Sequence, residues 1–457
     1  MTRRKYIQLM IMIIVLVTTG VSIIQSATLQ NTNILVIESF IINLMISFYM
    51  LVRSAARHAY SFEISFWMFG FVFFGLAPLV QYLSNWTAWG LVTNNDEIVR
   101  CNLMIFIWYA AFCLGRKLRF RIVFGKKRPK FLKNKASGFN KTRLILISLI
   151  SLVFTGYLVY KTGISALIFK GNRNNTVSDS SAINLLTYHV FRNTILFTFV
   201  LLIINKKERK GLNLLTYIVG SLFLLTCAPT GLSRYMAGAF YAGVLIILIG
   251  KEHCNTWISI LFFLGLTAVF PLLSIFRYST GMYSYSEFVQ LSRRVFSNTY
   301  QTGNYDAHNM IISGMHYVRE IGYSHGRQIL GALLFFVPRS VWKTKPIGTG
   351  AEVISSLNQF RFLNVSMPLV GESYINFGII GVVIIGIAIG CVTSRLDESY
   401  WKCSNVYDFI YVLYPFSVFY FFFLQRGDLM SAGAYLIANA AMGFFTWNVA
   451  AGNRKHY

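Results

Sequence analysis

The segment GESYINFGIIG, from Gly371 to Gly381, marks the boundary between the two kinds of sequence in this chain. Before it, the residues from Arg277 to Gly371 form the only extended polar segment, and directly after it an apolar run begins. Apolar runs of this length are typical of helices that cross a membrane. The boundary therefore predicts one membrane domain, residues 1–457, with one large loop, residues 277–371.

The composition indicates the same class of protein. The 457 residues are 55% hydrophobic and only 13% charged, which lies outside the range of soluble globular proteins. The net charge of +26 would suggest nucleic acid as a partner in a soluble protein, but here cytoplasmic loops rich in Lys and Arg explain most of it. We therefore expect a membrane protein with no nucleic-acid partner.

Apolar segments of about the length needed to span a membrane recur along the whole chain. Because lipid offers no hydrogen bonds to the backbone, we expect an all-α integral membrane fold with about twelve transmembrane helices. The predicted spans are Tyr6–Ile24, Ile34–Leu51, Phe62–Leu83, Ile98–Gly115, Leu144–Tyr160, Asn184–Ile204, Leu212–Ala228, Tyr235–Gly250, Trp257–Phe276, Tyr374–Thr393, Val406–Leu424 and Leu429–Ala450.

The distribution of cations predicts the orientation. Twelve of them lie between Arg116 and Arg143, whereas the connections Ser26–Asn33 and Ser84–Glu97 contain none. With an even number of spans, one orientation satisfies the whole chain: both termini in the cytoplasm and the large loop outside. Within that loop we expect short surface helices at Glu287–Asn298 and Asp306–Ile321, and a re-entrant or interfacial segment at Ile329–Val341.

Two arginines lie in connections predicted to face outward, where the positive-inside rule disfavours cations. Arg234 and Arg426 each occupy a short connection predicted to face outward. With Arg277 at the end of another span, they could hold a diphosphate through forked hydrogen bonds and stabilise the charge that develops as it leaves. Alternatively, Arg234 and Arg426 only reach the membrane interface, or pair with Asp428.

If the departing diphosphate leaves a sugar that is transferred to the hydroxyl group of another sugar, the reaction also needs a general base. Glu372, at the outer end of a span, is the first candidate, and Asp306-Ala-His308-Asn309 offers Asp306 and His308 as the second. The alternatives are a helix cap or salt bridge for Glu372 and an ordinary surface histidine for His308. No His, Cys, Asp or Glu spacing predicts a metal site, and we expect no cofactor.

The loop also contains cations and aromatics suited to a phosphate-bearing, sugar-rich ligand. Its nine cations, against four acids, include Arg339 and Lys345. Trp342 and Tyr374 could stack on sugar faces or belong to the aromatic belt at the membrane interface.

Taken in order, these segments resemble the bacterial oligosaccharide repeat-unit polymerases, the Wzy-type O-antigen and capsule polymerases, and more distantly the O-antigen ligases. The residues that carry the resemblance are Ser233-Arg234, Pro338–Trp342 with Lys345-Pro346, Gly348-Thr-Gly350, Gly371–Gly378 followed by Gly381, and Arg426-Gly-Asp428.

The resemblance implies a metal-independent, inverting glycosyltransferase of GT-C-like architecture in the bacterial inner membrane, with its active site on the outer face. It implies an undecaprenyl-diphosphate-linked oligosaccharide as substrate, membrane lipid as surroundings and a chain-length regulator as a candidate protein partner. Arg234 and Arg339 match the family's arginines. The His-Asn pair that the ligases have before their Gly-x-x-Gly turn is replaced here by Asn364-Val-Ser-Met-Pro368, which leaves the base open between Glu372 and His308.

Three other functions remain open at this stage. A ligase for lipid-linked glycans would use the same site with another acceptor, and a structural subunit would bind the precursor without chemistry. A flippase for the lipid-linked unit would place charges near the middle of the membrane, where this sequence has few, Arg192 being the nearest to an exception.

Overall fold

The computed structural model describes residues 33–124, 136–173, 182–209, 212–277, 279–359 and 362–451. Within these ranges the chain is helical. The helices are α1 Ile34–Ala55, α2 Phe62–Leu83, α3 Asn95–Phe124, α4 Lys141–Thr162, α5 Ile164–Ile168, α6 Lys170–Arg173, α7 Ala182–Arg209, α8 Asn213–Thr226, α9 Arg234–Ile249, α10 Trp257–Leu272, α11 Tyr285–Ser297, α12 Ala307–Glu320, α13 Arg327–Leu333, α14 Thr349–Ser356, α15 Leu369–Trp401, α16 Phe409–Arg426 and α17 Leu429–Ala450.

The expectation of an all-α membrane protein is confirmed, but the number of spans is not. Among the described residues, eight helices are long and apolar enough to cross a membrane: α1, α2, α3, α4, α7, α15, α16 and α17. Helices α8, α9 and α10 occupy predicted spans but are shorter. The predicted span Tyr6–Ile24 lies outside the described residues.

Helix α2 forms the centre of the bundle. Every residue from Phe62 to Gln81 is buried, as expected for a helix that is apolar around its whole circumference. The side chain of Ser61 begins this helix by accepting a hydrogen bond of 3.1 Å from the amide of Ile64. A π-helical segment, Gly70–Leu76, interrupts α2 at mid-length.

Glycines allow the two longest helices to approach closely. A Cβ atom added to Gly115 of α3 would lie 2.2 Å from the carbonyl oxygen of Ile387, and one added to Gly390 of α15 would lie 2.3 Å from that of Phe112. Small residues at such positions are the usual means of packing helices in lipid. The contact between α3 and α15 therefore depends on backbone proximity that no larger side chain permits.

The GESYINFGIIG segment does not run straight into its span. Helix α15 already begins at Leu369 and is interrupted at Phe377 and Gly378, where Gly378 has a φ of 63°. The amide of Ser324 donates a hydrogen bond of 2.9 Å to the carbonyl of Ile375, one of the groups that the interruption exposes. The sequence predicted the span from Tyr374, but not this break within it.

The large loop is more deeply packed than its sequence suggests. Helix α11 lies on the surface as predicted, with no buried residue and a capping box formed by Ser284 and Glu287. The second predicted surface helix is present as α12, but the prediction of its position is wrong, because residues Ala307 to Gly314 are buried. The segment Ile329–Val341 is helical only within α13, which packs against α17.

Candidate functional site

A cavity of about 870 Å³ lies between α9, α10 and α16, and the large loop closes one of its sides. The wall contributed by these helices is apolar and includes Leu245, Leu261, Phe262, Leu266 and Phe419. Polar residues also line the same cavity, and they include Lys170, Arg234, Arg277, Asn304, Asn364, Ser366, Arg426, Asp428 and Ser431. The same cavity thus offers both cationic groups and an apolar surface.

Arg234, at the start of α9, is held by groups from two other parts of the chain. Its Nη2 donates to Oδ1 of Asn304, and its Nη1 donates to the carbonyl of Phe270 at 3.5 Å. The guanidinium carbon lies 4.3 Å from the centroid of the Phe270 ring. These contacts fix the direction of the guanidinium at the cavity wall.

Arg426, at the end of α16, is held by the same short turn. Its Nη2 donates to the carbonyl of Gly303 at 3.3 Å and to Oδ1 of Asp306 at 3.1 Å. The four residues Gly303–Asp306 therefore position two arginines from different helices. The alternative pairing with Asp428 is wrong, because the ion pair of Arg426 is with Asp306.

Asp306 is fully buried, and its carboxylate accepts several hydrogen bonds. Besides Arg426, the hydroxyl of Ser366 donates to Oδ1 at 2.6 Å, and the indole Nε1 of Trp89 donates to Oδ2 at 3.1 Å. Because Asp306 forms an ion pair with Arg426 and is not among the residues that line the cavity, it is suited to holding the arginine rather than to removing a proton from a substrate. We therefore assign Asp306 a positioning role instead of the catalytic role expected from the sequence.

Arg277 lines the same cavity from the 3₁₀ turn Ile275–Arg277 that follows α10. The three arginines that sequence reasoning placed at one membrane surface are thus at one cavity. Lys170, which the sequence reasoning missed, joins them there. It could have been found by the argument used for Arg234, because it too lies in a connection predicted to face outward.

The two leading candidates for the base do not line this cavity. Glu372 is buried in α15, where its Oε1 accepts a hydrogen bond of 2.6 Å from the amide of Leu429. His308 is buried in α12, with its Nε2 3.0 Å from Oδ1 of Asn102. Burial lowers the pKa of His308 to about 3, so its ring is neutral at physiological pH.

The cations and the tryptophan of the predicted loop motif hold the loop together. The guanidinium of Arg339 donates to the carbonyls of Lys345 and Pro346 at 2.8 and 3.1 Å. The ammonium of Lys345 donates to the carbonyl of Phe335 at 2.6 Å, and Nε1 of Trp342 donates to the hydroxyl of Thr344 at 3.2 Å. None of the three is among the residues that line the cavity.

Tyr374 also lies away from the cavity. Its ring is 6.2 Å from that of Tyr323, on the part of α15 that precedes the interruption. The structure therefore separates the predicted site residues into two groups. Arg234, Arg277 and Arg426 reach the cavity, with Asp306 directly behind Arg426, whereas the remaining six do not.

Asp428 is the acidic residue that lines the cavity, and sequence reasoning did not select it as a base. Its Oδ1 accepts a hydrogen bond of 3.0 Å from the amide of Ser431, which caps α17. Burial raises the pKa of Asp428. The sequence signals were its place two residues after Arg426 in an outward connection, where an ion pair was one alternative, and its position in the motif Arg426-Gly-Asp428.

In the described ranges, no three His, Cys, Asp or Glu side chains gather as they would around a metal ion. Comparison of the chain with protein-family models, with curated proteins and with solved structures finds no match.

Proposed function

We propose that this chain polymerises lipid-linked oligosaccharide repeat units. It would transfer a growing glycan from undecaprenyl diphosphate to the non-reducing end of an acceptor repeat unit. The observation that carries the proposal is that one cavity is lined both by Arg234, Arg277 and Arg426 and by the apolar surfaces of α9, α10 and α16.

The two parts of the cavity match the two parts of such a donor. Arginine forks bind phosphate oxygens through charge-assisted hydrogen bonds, which are about twice as strong as neutral ones. The apolar wall, which includes Leu261 and Leu266, would contact the isoprenoid nearest to the diphosphate. A soluble phosphorylated substrate would need the arginines but not this wall.

The arginines would also contribute to the chemistry. Cleavage of the bond between sugar and diphosphate leaves negative charge on the departing oxygen, and fixed cations at that point lower the barrier. The contacts of Asn304 and Asp306 fix two of the guanidiniums before the donor arrives. Such preorganisation is what makes electrostatic stabilisation effective.

The family motifs and the membrane character of the helices support a proposal for the location and orientation of the enzyme. We place the enzyme in the bacterial inner membrane with both termini in the cytoplasm and the cavity opening outward. On this proposal its architecture is GT-C-like, and neither a metal ion nor a nucleotide takes part in the transfer.

The test is a polymerisation assay with purified protein in nanodiscs. The protein is incubated with a lipid-linked repeat unit and a metal chelator, without nucleotide, and the products are separated by gel electrophoresis. We expect a ladder of glycans that differ by one repeat unit, and the Arg234→Ala variant as a control should give almost none.

Unchanged substrate would contradict the proposal. If the same protein in proteoliposomes then moved the intact lipid-linked unit across the bilayer, the flippase would take its place. Arg192, near the outer end of its predicted span, was the nearest to the mid-membrane charge expected of a flippase; it is buried in α7 and does not line the cavity.

A further inference from the structure

Asp428 is the one acidic residue among the described residues that line the cavity. It follows Arg426 by two residues and shares the cavity with all three arginines. We propose that Asp428 is the general base of the transfer reaction, which rests on the function proposed above. It would accept the proton of the acceptor sugar's hydroxyl group.

Local contacts hold this carboxylate in place. The amide of Ser431 donates to Oδ1 at 3.0 Å, and the hydroxyl of Ser431 lies 3.0 Å from Oδ2. Gly348 packs against it, since a Cβ atom added there would lie 3.1 Å from the carboxylate carbon. The turn Gly348-Thr-Gly350 thus makes room for Asp428 and does not line the cavity.

The charged groups around Asp428 do not neutralise it by direct pairing. Arg426 turns toward Asp306, and among the ion pairs of the described residues Asp428 takes part in none. On the other side, Glu372 of α15 accepts from the amide of Leu429, the residue that follows Asp428. Partial burial raises the pKa of Asp428, so this carboxylate binds a proton more readily than an exposed aspartate does, which is the property of a general base.

The step conserves atoms and charge. The acceptor hydroxyl oxygen forms a bond to the anomeric carbon of the donor while its proton moves to the carboxylate of Asp428. The bond between that carbon and the diphosphate oxygen breaks, and its electron pair leaves with the diphosphate toward the arginines. Attack from the face opposite the leaving group inverts the anomeric centre, and the proton on Asp428 is later lost to water.

The other carboxylates and the histidine are less well placed. Asp306 is engaged by Arg426, Ser366 and Trp89. Glu372 and His308 are buried and are not among the residues that line the cavity, so an acceptor sugar in the cavity would not contact them. Asp428 alone among these four is among the residues that line the cavity.

The decisive variant is Asp428→Asn. Asparagine caps helices about as well as aspartate, so this change keeps the bond to Ser431 and the start of α17 while removing the base. We expect the rate of glycan transfer to fall at least 100-fold. Binding of the lipid-linked diphosphate, measured as thermal stabilisation of the protein, should stay within about threefold of wild type.

Asp408→Asn serves as the matched control. Asp408 is the residue before α16, at the opposite end of that helix from Arg426, and it does not line the cavity. This control should transfer glycans at the wild-type rate per folded protein. Glu372→Gln tests the competing assignment of Glu372 as the general base. This variant should lose far less activity than Asp428→Asn.

Three results would overturn the proposal. The first is an Asp428→Asn variant with transfer within a few-fold of wild type. The second is a loss of donor binding as large as its loss of activity, which would make Asp428 a binding residue. The third is a greater loss for Glu372→Gln. If the wild-type protein itself formed no glycan bond, the proposed function would fail instead, and the two failures are thus distinguishable.

Discussion

Arg426 and Asp306 are 120 residues apart in sequence and form an ion pair of 3.1 Å beside the cavity. The arginine comes from the end of a membrane helix, and the aspartate comes from the turn before α12. Because the adjacent residue pair Gly303 and Asn304 also binds Arg426 and Arg234, one turn of the loop organises the cationic wall.

The first prediction concerns this ion pair. Asp306→Ala should lower the stability of the protein by about 3–5 kcal/mol, because it leaves a largely buried arginine without its counter-charge. Asp306→Asn should cost less, since the amide still fits the site and its one oxygen can accept from either Ser366 or Trp89. The measurement is unfolding of each variant in the same detergent. Equal stabilities for Asp306→Ala and wild type would show that the pair contributes nothing.

The second prediction separates two arginines that the sequence treats alike. From sequence, Arg234→Ala and Arg339→Ala should both lower polymer formation sharply. Because Arg234 lines the cavity and Arg339 binds loop carbonyls, we expect a loss of about 100-fold or more for the former and a much smaller loss for the latter. Arg234→Lys should recover activity only in part, since a point charge does not reproduce the fork.

The polymerisation assay compares Arg234→Ala with Arg339→Ala at equal amounts of membrane-inserted protein. A larger defect for Arg339→Ala than for Arg234→Ala would move the site from the cavity to the loop.

The third prediction is a pH dependence of stability that comes from His308. Its pKa is about 3 in the folded protein and near the usual 6.5 in the unfolded chain, so below pH 6.5 the unfolded state binds the extra proton. Stability is therefore full above pH 6.5 and is lost as the pH falls toward 3. At pH 5 the loss from this one group should be about 2 kcal/mol.

Comparison with His308→Gln isolates this contribution, since glutamine can still donate to Asn102 but does not titrate. The difference in stability between wild type and variant should shrink between pH 7 and pH 5. A constant difference would mean that the ring has the same pKa in the folded protein as in the unfolded chain, and a growing difference would mean that its pKa is raised on folding.

The fourth prediction tests the apolar wall of the cavity. Gly238 lies in this wall, and a Cβ atom added there would contact nothing within 4 Å, so Gly238→Phe should fill the cavity without distorting α9. We expect transfer from a long polyprenyl donor to fall more than tenfold, with a smaller effect for a donor with a short tail. Gly156→Phe, at an equally open position in α4 outside the cavity, is the control.

If both glycine variants retain full activity with the long-tailed donor, the lipid does not occupy this cavity. The comparison of tail lengths matters, because a general defect in folding would reduce both reactions equally.

The fifth prediction concerns the interruption in α15. Gly378 has a φ of 63° and a ψ of −154°, a region that only glycine occupies without strain. Gly378→Ala should therefore destabilise the protein by about 1–3 kcal/mol. Gly156→Ala, within a regular helix, should instead be neutral or stabilising by up to about 1 kcal/mol. Thermal unfolding measures both, and equal midpoints would indicate that α15 can straighten.

Many of the helices could be predicted because their formation depends on residues close together in the sequence. Helix α2 is recognisable from its continuous apolar sequence, and α11 from the capping box of Ser284 and Glu287. In lipid the backbone has no other way to satisfy its hydrogen bonds, so an apolar run of sufficient length becomes a helix. The sequence also located Arg234, Arg277 and Arg426 correctly at the ends of predicted spans.

The depth of α12 and the break in α15 were not predictable in the same way. The Asp306–Ile321 segment has a surface-like composition, yet its first half is buried against α15. Gly378 is one of many glycines in the apolar runs, and its positive φ follows from contacts with Ser324 and Tyr323 that are distant in sequence. Packing between elements decides both features.

The sequence by itself determined that this chain is a helical membrane protein and which residues stand at the ends of its helices, since hydrophobicity and capping act over a few residues. Only the tertiary structure decided that Arg234, Arg277 and Arg426 share one cavity, that Asp306 serves Arg426, and that Asp428 rather than Glu372 lines the wall. Those relationships depend on the rotation and depth at which each helix packs. Contacts between residues more than 100 positions apart set that packing, and they leave no periodicity in the sequence.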